Sequence, residues 1–349
     1  MIVDGWIGKK PRVALCTTTI NIPTVLRLYR AYGPDVAFFV AGDLKTPKAC
    51  EELCESLPGV NYLSPDWQKS LGYKCSELLG WDCIARRNIA TLVALAWGAE
   101  IIVLTDDDNL PMNEFYFTDH VNALTKPHCG IKASSTSGWF DVGTLLYDDG
   151  DNCAVPHRGF PHNVNGHGTF QSVVDAKVGV NAGVCMGDPD CSATTRIARS
   201  PVVHHASCLL DSGIVVDNRT KTVFNSQNTA FIRELAPAMF MMPGVGRYDD
   251  LYASLICQRV MIERDLHVKF SRPFVWQERN EHDLIKDLRA EIDGMENIEK
   301  FAQSLNTMSI ANLPVIDALR IIYAFDDILP TKAVTAAHAF LDDCEKVMG

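Results

Sequence analysis

A chain of 349 residues with 47% hydrophobic and 21% charged residues can bury a sizeable core, which excludes a disordered or fibrous polypeptide. The length suits about two domains or one large one. Its 43 acidic against 32 basic residues leave a formal charge of -11. General nucleic-acid binding is therefore not expected, because such proteins neutralise many phosphates with Lys and Arg, and a nucleotide would need a local basic or metal-bearing pocket.

In chain order, residues 1–10 lack the basic-then-apolar pattern of a secretory signal. Residues 13–17 are an apolar, β-branched run that predicts a strand. After Pro23, helical spacing sets in at Val25, Leu26, Leu28 and Tyr29. A second strand is expected over residues 36–40, ending in Gly42-Asp43, with Pro47 opening a helix through Leu53. Residues 60–63 make a third strand. Asp82 reads as the N-cap of a helix over residues 83–97, stopped by Gly98. The longest apolar stretch, residues 89–104, is broken by Thr91, Gly98 and Glu100 and falls short of the roughly 20 residues that span a bilayer. No membrane span and a cytoplasmic location are expected. Residues 101–104 form a buried strand with Thr105-Asp106-Asp107-Asp108-Asn109 at its carboxyl end. Residues 139–205 are rich in Gly, Asn, His and Asp without periodicity and read as irregular functional loops. Residues 268–276 look strand-like, and helices near 283–291, 311–325 and 332–347 form a C-terminal helical appendage. The 12 cysteines contain no C-x-x-C pair and read as reduced, mostly buried small hydrophobes.

Alternating strands and helices imply an α/β fold, a mostly parallel sheet flanked by helices. Ligands of such sheets bind outside the carboxyl ends of the strands. Thr18, Thr19, Asn21, Asp43, Lys45 and the three aspartates are therefore expected around one nucleotide-sized pocket. Asp106, Asp107 and Asp108 crowd like charges that a hard divalent cation would neutralise while leaving sites for phosphate. The bland alternative is a solvated acidic turn. Arg86 and its neighbour Arg87 precede that strand, and a guanidinium there can clamp a phosphate or stack on a base. In His157-Arg158-Gly159 the glycine lets backbone approach a ligand, though the same letters suit an ordinary turn. Asp249 and Asp250 open a helix; they are either favourable dipole partners or, in a functional reading, the base that deprotonates an acceptor hydroxyl. His282, in the polar stretch 277–282, is a candidate to complete a metal shell.

Taken together these motifs resemble the GT-A glycosyltransferases. The stretch from Thr17-Thr-Thr-Ile-Asn-Ile-Pro-Thr24 through Gly42-Asp-Leu-Lys-Thr-Pro47 and Leu71-Gly-Tyr-Lys74 to the triple Asp resembles the glycosyltransferase domain of plant STELLO proteins. Arg158-Gly-Phe-Pro161, residues 225–231 and Gly246-Arg-Tyr-Asp-Asp250 resemble the reversibly glycosylated polypeptides, which are UDP-arabinopyranose mutases. The resemblance implies a GT-A domain over residues 1–290 and a helical region over 291–349. It also implies Mn2+ or Mg2+ held at Asp106 and Asp108 with His282, and a nucleotide-diphosphate sugar, UDP-linked, in the N-terminal half. Thr18, Thr19, Asn21, Asp43, Lys45, Lys74, Arg86 and Asp107 are the implied donor contacts, and Asp250, Asp249 and Arg158 the implied catalytic set, with Asp250 the favoured base and Asp249 orienting the acceptor or a metal-bound water. In the mutase group an arginine in R-G-Y-P becomes reversibly glycosylated, and Arg158 occupies the similar position. The second arginine of that group is Asn165 here, and the histidine after the tryptophan is Gln277. Transfer to a hydroxyl acceptor is the favoured reading. Ring isomerisation of the sugar nucleotide and non-catalytic nucleotide-sugar binding stay open, as do a modified nucleobase as acceptor and assembly into a homo-oligomer.

Overall fold

Phe38 and Phe39 show how the first half of the chain is layered. Successive strand residues point to opposite faces of a sheet. Phe38 meets Phe117 on one side, with ring centroids 6.0 Å apart, and Phe39 meets Trp97 on the other at 6.1 Å. Helices thus cover both faces, and the expected apolar runs become buried parallel strands. In the computed structural model, which describes residues 11–148, 153–278, 282–325 and 327–349, this half reads β1 (Val13–Thr19), α1 (Leu26–Tyr32), β2 (Ala37–Gly42), α2 (Lys48–Glu55), β3 (Val60–Leu63), α3 (Pro65–Ser70), α4 (Cys75–Leu79), α5 (Arg87–Trp97) and β4 (Ile101–Thr105). The strands lie in the order β3-β2-β1-β4, all parallel, and every residue of β1 and β4 is buried.

The helix expected over residues 83–97 starts later. Asp82 has φ +55° and caps nothing; a single 3-10 turn over Ile84–Arg86 precedes α5. The loop before that turn is instead tied to the end of β2. The buried carboxylate of Asp43 accepts hydrogen bonds from the backbone N–H of Asp82 at 2.7 Å and of Cys83 at 3.2 Å. At the far end Gly98 adopts the left-handed conformation, φ +91°, as expected of a helix stop.

The second half widens the sheet with mixed pairings. It comprises β5 (Asn109–Pro111), α6 (Tyr116–Thr125), β6 (His128–Ser134), β7 (Leu146–Asp148), β8 (Thr169–Gly187), α7 (Ala193–Arg199), β9 (Val203–Ala206), α8 (Leu209–Ser212), β10 (Ile214–Val216), β11 (Asn228–Ile232), α9 (Asp249–Ile262) and β12 (Leu266–Gln277). Strand β11 runs antiparallel to both β4 and β8, and β12 runs parallel to β8. The stretch expected to be irregular therefore contains the 19-residue β8. Its pattern is masked by small residues required for packing. A Cβ on Gly183 would lie 2.3 Å from both the Asn228 side chain and the Pro273 carbonyl oxygen.

The chain ends in α10 (Leu284–Thr307), α11 (Val315–Phe325) and α12 (Thr331–Met348). These are the expected C-terminal helices, but they share the core rather than hang from it. Tyr252 of α9 packs against Phe301 of α10 at 4.7 Å, and Phe240 against Phe340 of α12 at 4.8 Å. The expected boundary at residue 290 falls inside the single helix α10. Among the described residues no helix is long and apolar enough to cross a membrane. The reading of residues 1–10 and the Arg279-Asn280-Glu281 part of the polar stretch lie outside the described residues.

Candidate functional site

Parallel strands leave their carboxyl-end loops on one edge of the sheet, and here those loops surround a cavity of about 400 Å³. Thr18, Thr19 and Asn21 follow β1, Asp43 follows β2, and Asp106, Asp107 and Asp108 follow β4. Arg158, Asp249, Asp250 and His282 close it from the second half of the chain.

At the β4 end each aspartate has a different partner. Asp106 receives the buried guanidinium of Arg87 at 2.6 Å, and Arg87 also donates to the carbonyl and hydroxyl oxygens of Ser226 at 3.0 and 2.9 Å. Asp107 accepts from the Thr19 hydroxyl and, at 3.4 Å, from the Asn21 amide. Asp108 accepts from the Gln277 amide at 3.3 Å. Burial raises the proton affinity of Asp107, with Asp106 adding to it and Thr19 opposing it. Burial and the neighbouring Asp106 push Asp108 up to about 6. The negative charge facing the cavity is thus only partly offset. The donors are oxygens, the set that suits a hard divalent cation whose remaining positions go to water and phosphate. Among the described residues no group of three or more His, Cys, Asp and Glu side chains is drawn together as a full metal shell. His282 lines the cavity but its Nδ1 faces Asp287 at 3.1 Å.

The other end is organised around Arg158, which is buried. Its Nε donates to Asp190 at 2.8 Å, one terminal nitrogen donates to both oxygens of Asp250 at 3.1 and 3.2 Å, and the other donates to the Arg247 carbonyl. Burial alone would lower its pKa; Asp190 and Asp250 outweigh that and hold the guanidinium charged. Burial likewise works against Asp190, yet Arg158, His157 and the Asn225 amide at 2.8 Å keep it ionised, well below the ordinary carboxylate range. Asp250 also accepts from the Ser226 N–H at 3.1 Å. Among the described residues no cation contacts Asp249: burial and the charge of Asp250 push it up to about 7.

Neutral amides join the two ends. Gln277 donates to Asp108 and accepts from Gln227 at 3.1 Å, and Gln227 accepts from Asn225, also at 3.1 Å. Asn225 in turn donates to Asp190.

Three expected donor contacts are placed elsewhere. Lys45 is exposed and pairs with Asp82 at 3.1 Å. Lys74 points to the C-terminal helix, 2.8 Å from Asp342. Arg86 is buried outside the cavity, stacked 3.9 Å from the Trp81 ring and bonded to Gln68 and Ser76. Its neighbour Arg87 reaches the cavity instead, because consecutive residues of a helical turn project about 100–120° apart. Thr18 lines the cavity, although its hydroxyl donates to the Ala41 carbonyl at 2.7 Å. Asp190 carries no motif of its own in the sequence, and although residues 225–231 and 277–282 stand out there, nothing in the sequence joins Asn225, Gln227 and Gln277 into one amide chain. Arg158 was the only signal for Asp190, since a buried guanidinium requires counter-charges. Asn165 lies away from the cavity, bonded through its carbonyl to Ser137 and through its side chain to the His167 N–H.

A family profile described as "Reversibly glycosylated polypeptide" matches residues 61–320. UDP-arabinopyranose mutase 1 of Oryza sativa subsp. japonica is 28% identical over 212 residues, 58% of this chain and 54% of the relative. Probable UDP-arabinopyranose mutase 2 of Solanum tuberosum is 28% identical over 53% of this chain and 49% of its own length. The chain thus spans about half the length of these curated relatives. Probable UDP-arabinopyranose mutase 1 of Zea mays is 26% identical over 303 residues, 82% of this chain and 77% of the relative. Among solved structures, the mannosyltransferase PcManGT from Pyrobaculum calidifontis in complex with GDP-Man and Mn2+ aligns over 99% of this chain and 92% of its own, at 13% identity and a TM-score of 0.39.

Proposed function

The chain belongs to the reversibly glycosylated polypeptide family, and from that premise we propose that it is a glycosyltransferase-type enzyme that moves a sugar from a nucleotide diphosphate, UDP foremost, to a hydroxyl acceptor. The observation that carries this reading is the gathering of Asp106 to Asp108, Arg158 and Asp249 around one cavity at the strand ends. Thr19, Asn21 and Asp43 border the nucleotide side. Asp106 and Asp108, with His282 at the wall, are the residues to hold Mn2+ or Mg2+, which when bound offsets charge on the leaving diphosphate. Arg87 fixes the orientation of Asp106. Arg158 presents a locked positive charge to the sugar end. Asp249 is the better base, because a group that titrates near the working pH transfers protons most effectively. Asp250 spends its carboxylate on Arg158 and Ser226.

A second reading, isomerisation of the sugar ring through an adduct on Arg158, is favoured by the activity named for the relatives and by the place of Arg158 at the cavity. Against it, each guanidinium nitrogen already has a partner, and Asn165 replaces the second arginine of the motif. The test is incubation with a panel of nucleotide sugars and Mn2+. Acceptor-dependent release of nucleoside diphosphate with unmodified Arg158 by mass spectrometry supports transfer. A converted sugar nucleotide with a reversible, stoichiometric Arg158 adduct supports isomerisation and defeats the transfer reading.

A further inference from the structure

The wall of the strand-end cavity is polar almost throughout, and its apolar surface is gathered at one end. Among the described residues that line it, Ile20 and Ile84 are the two large apolar side chains, and both stand open, 51% and 39% exposed. A single exposed isoleucine is ordinary on a protein surface. These two come from separate loops onto one cavity. Ile20 follows β1, and Ile84 opens the 3-10 turn before α5. Both loops are tied to the end of β2: the Thr46 hydroxyl donates to the Thr19 carbonyl at 2.5 Å, and Asp43 holds the backbone at Asp82 and Cys83.

The order of the strands sets the order of chemistry along the cavity. The sheet runs β2-β1-β4-β11 here, and with neighbouring strands about 4.8 Å apart, roughly 14 Å separates β2 from β11. Ile84, tied through Asp43 to β2, and Ile20, at the end of β1, make the apolar end. Asp106 to Asp108 follow at β4. Ser226 and Gln227 stand at the start of β11, where the Ser226 N–H leads to Asp250 and so to Arg158. A ligand matched to this sequence of surfaces is apolar at one end, anionic in the middle and rich in hydroxyls at the other. A sugar ring does not suit the isoleucines, because its hydroxyls need polar partners. The faces of a nucleobase carry no such demand.

We propose that Ile20 and Ile84 form the nucleobase subsite, covering the faces of the base and holding it by burial. The diphosphate then lies toward Asp106 to Asp108, and the sugar toward Arg158 and Asp249. The subsite rests on the nucleotide-sugar reading above and adds which side chains give the nucleotide its grip. Neither isoleucine offers a hydrogen bond, so its contribution depends on apolar area alone. Covering two side chains that are each about half exposed is worth on the order of tenfold or more in affinity.

The test uses the full chain and calorimetric titration with UDP, GDP and inorganic pyrophosphate, each with Mn2+ present. The tighter of the two nucleotides is expected to bind at least about tenfold better than pyrophosphate. In Ile20→Ser/Ile84→Ser that nucleotide should weaken at least about tenfold, with pyrophosphate within about twofold of wild type and the thermal midpoint unchanged. Ile20→Leu/Ile84→Leu, which keeps the apolar area, should hold the nucleotide within about threefold of wild type. Four outcomes overturn the subsite and leave the nucleotide-sugar reading standing: nucleotide affinity in the serine pair equal to wild type, a parallel loss of pyrophosphate, an equal loss in the leucine pair, or pyrophosphate matching the nucleotide in wild type. A wild-type chain that binds neither nucleotide overturns that reading and the subsite with it.

Discussion

Asp249 and Asp250 are adjacent in sequence, equally buried and physically opposite. Asp250 accepts hydrogen bonds from Arg158 and two groups of Ser226, whereas Asp249 sits where burial and the neighbouring Asp250 carboxylate favour its protonated form. Asp249→Asn should therefore lower turnover by a factor on the order of 10²–10⁴ with donor binding retained, measured by steady-state transfer and calorimetry. Near-normal turnover would remove the base role from Asp249. The same residue should be visible in stability. Unfolded, an aspartate titrates near about 3.9, and folded, Asp249 titrates at about 7. Between these values the unfolded chain has released the proton that the folded chain keeps, so stability falls as pH rises through that window. The thermal midpoint of Asp249→Asn relative to wild type should rise between pH 4 and 7 and level off above, which a melting series would detect. For the acidic strand end, Asp106→Ala together with Asp108→Ala should abolish metal-dependent binding of the nucleotide sugar, and unchanged, chelator-insensitive binding would remove the metal assignment.

At the level of elements, the cavity depends on joints between segments rather than on helices taken singly. Asp43 ties down the loop that leads into α5 and thereby helps place Arg87. Asp43→Ala leaves the Asp82 and Cys83 N–H groups without this acceptor and should cost about 1–3 kcal/mol, read from chemical denaturation. A second joint is the approach of Gly246 to α10. Gly246 has φ +63°, and a Cβ there would sit 2.0 Å from the Ala290 carbonyl oxygen, which is backbone and cannot swing away. On the same joint Arg247 bonds Glu291 at 3.0 Å. Gly246→Ala should destabilise the chain by about 1–3 kcal/mol and weaken donor binding, because moving α10 moves the loop whose carbonyl holds Arg158.

Across the whole molecule, the C-terminal helices act as a strap on the N-terminal sheet. Asp343 of α12 is buried and accepts from the backbone N–H groups of Lys74 and Cys75 at 3.0 and 2.9 Å, capping α4 from 268 residues away. Nearby, Arg233 donates to the Val347 carbonyl at 3.3 Å. Asp343→Ala leaves two inward donors unpaired and should cost about 1–3 kcal/mol. Activity per folded molecule should be unchanged, since Asp343 lies outside the strand-end cavity; a denaturation curve with a matched activity assay separates the two effects.

What could be read from the chain alone was what local chemistry dictates. Strands β1 to β4 follow from apolar runs of matching length, and Gly98 ends α5 because glycine accepts a left-handed backbone at little cost. The strand-end position of Asp106 to Asp108 needs only knowledge of where one buried run stops. Tertiary structure alone decided which of Arg86 and Arg87 faces the cavity, that Asp43 pins the loop at Asp82 and Cys83, and that Asp190 neutralises Arg158. It also decided that β8 is a 19-residue strand, and that Asp249 and Asp250 differ. Each of these rests on a partner tens to hundreds of residues away, and hydrogen-bond geometry, desolvation and charge proximity depend on distances in space, which sequence periodicity does not encode.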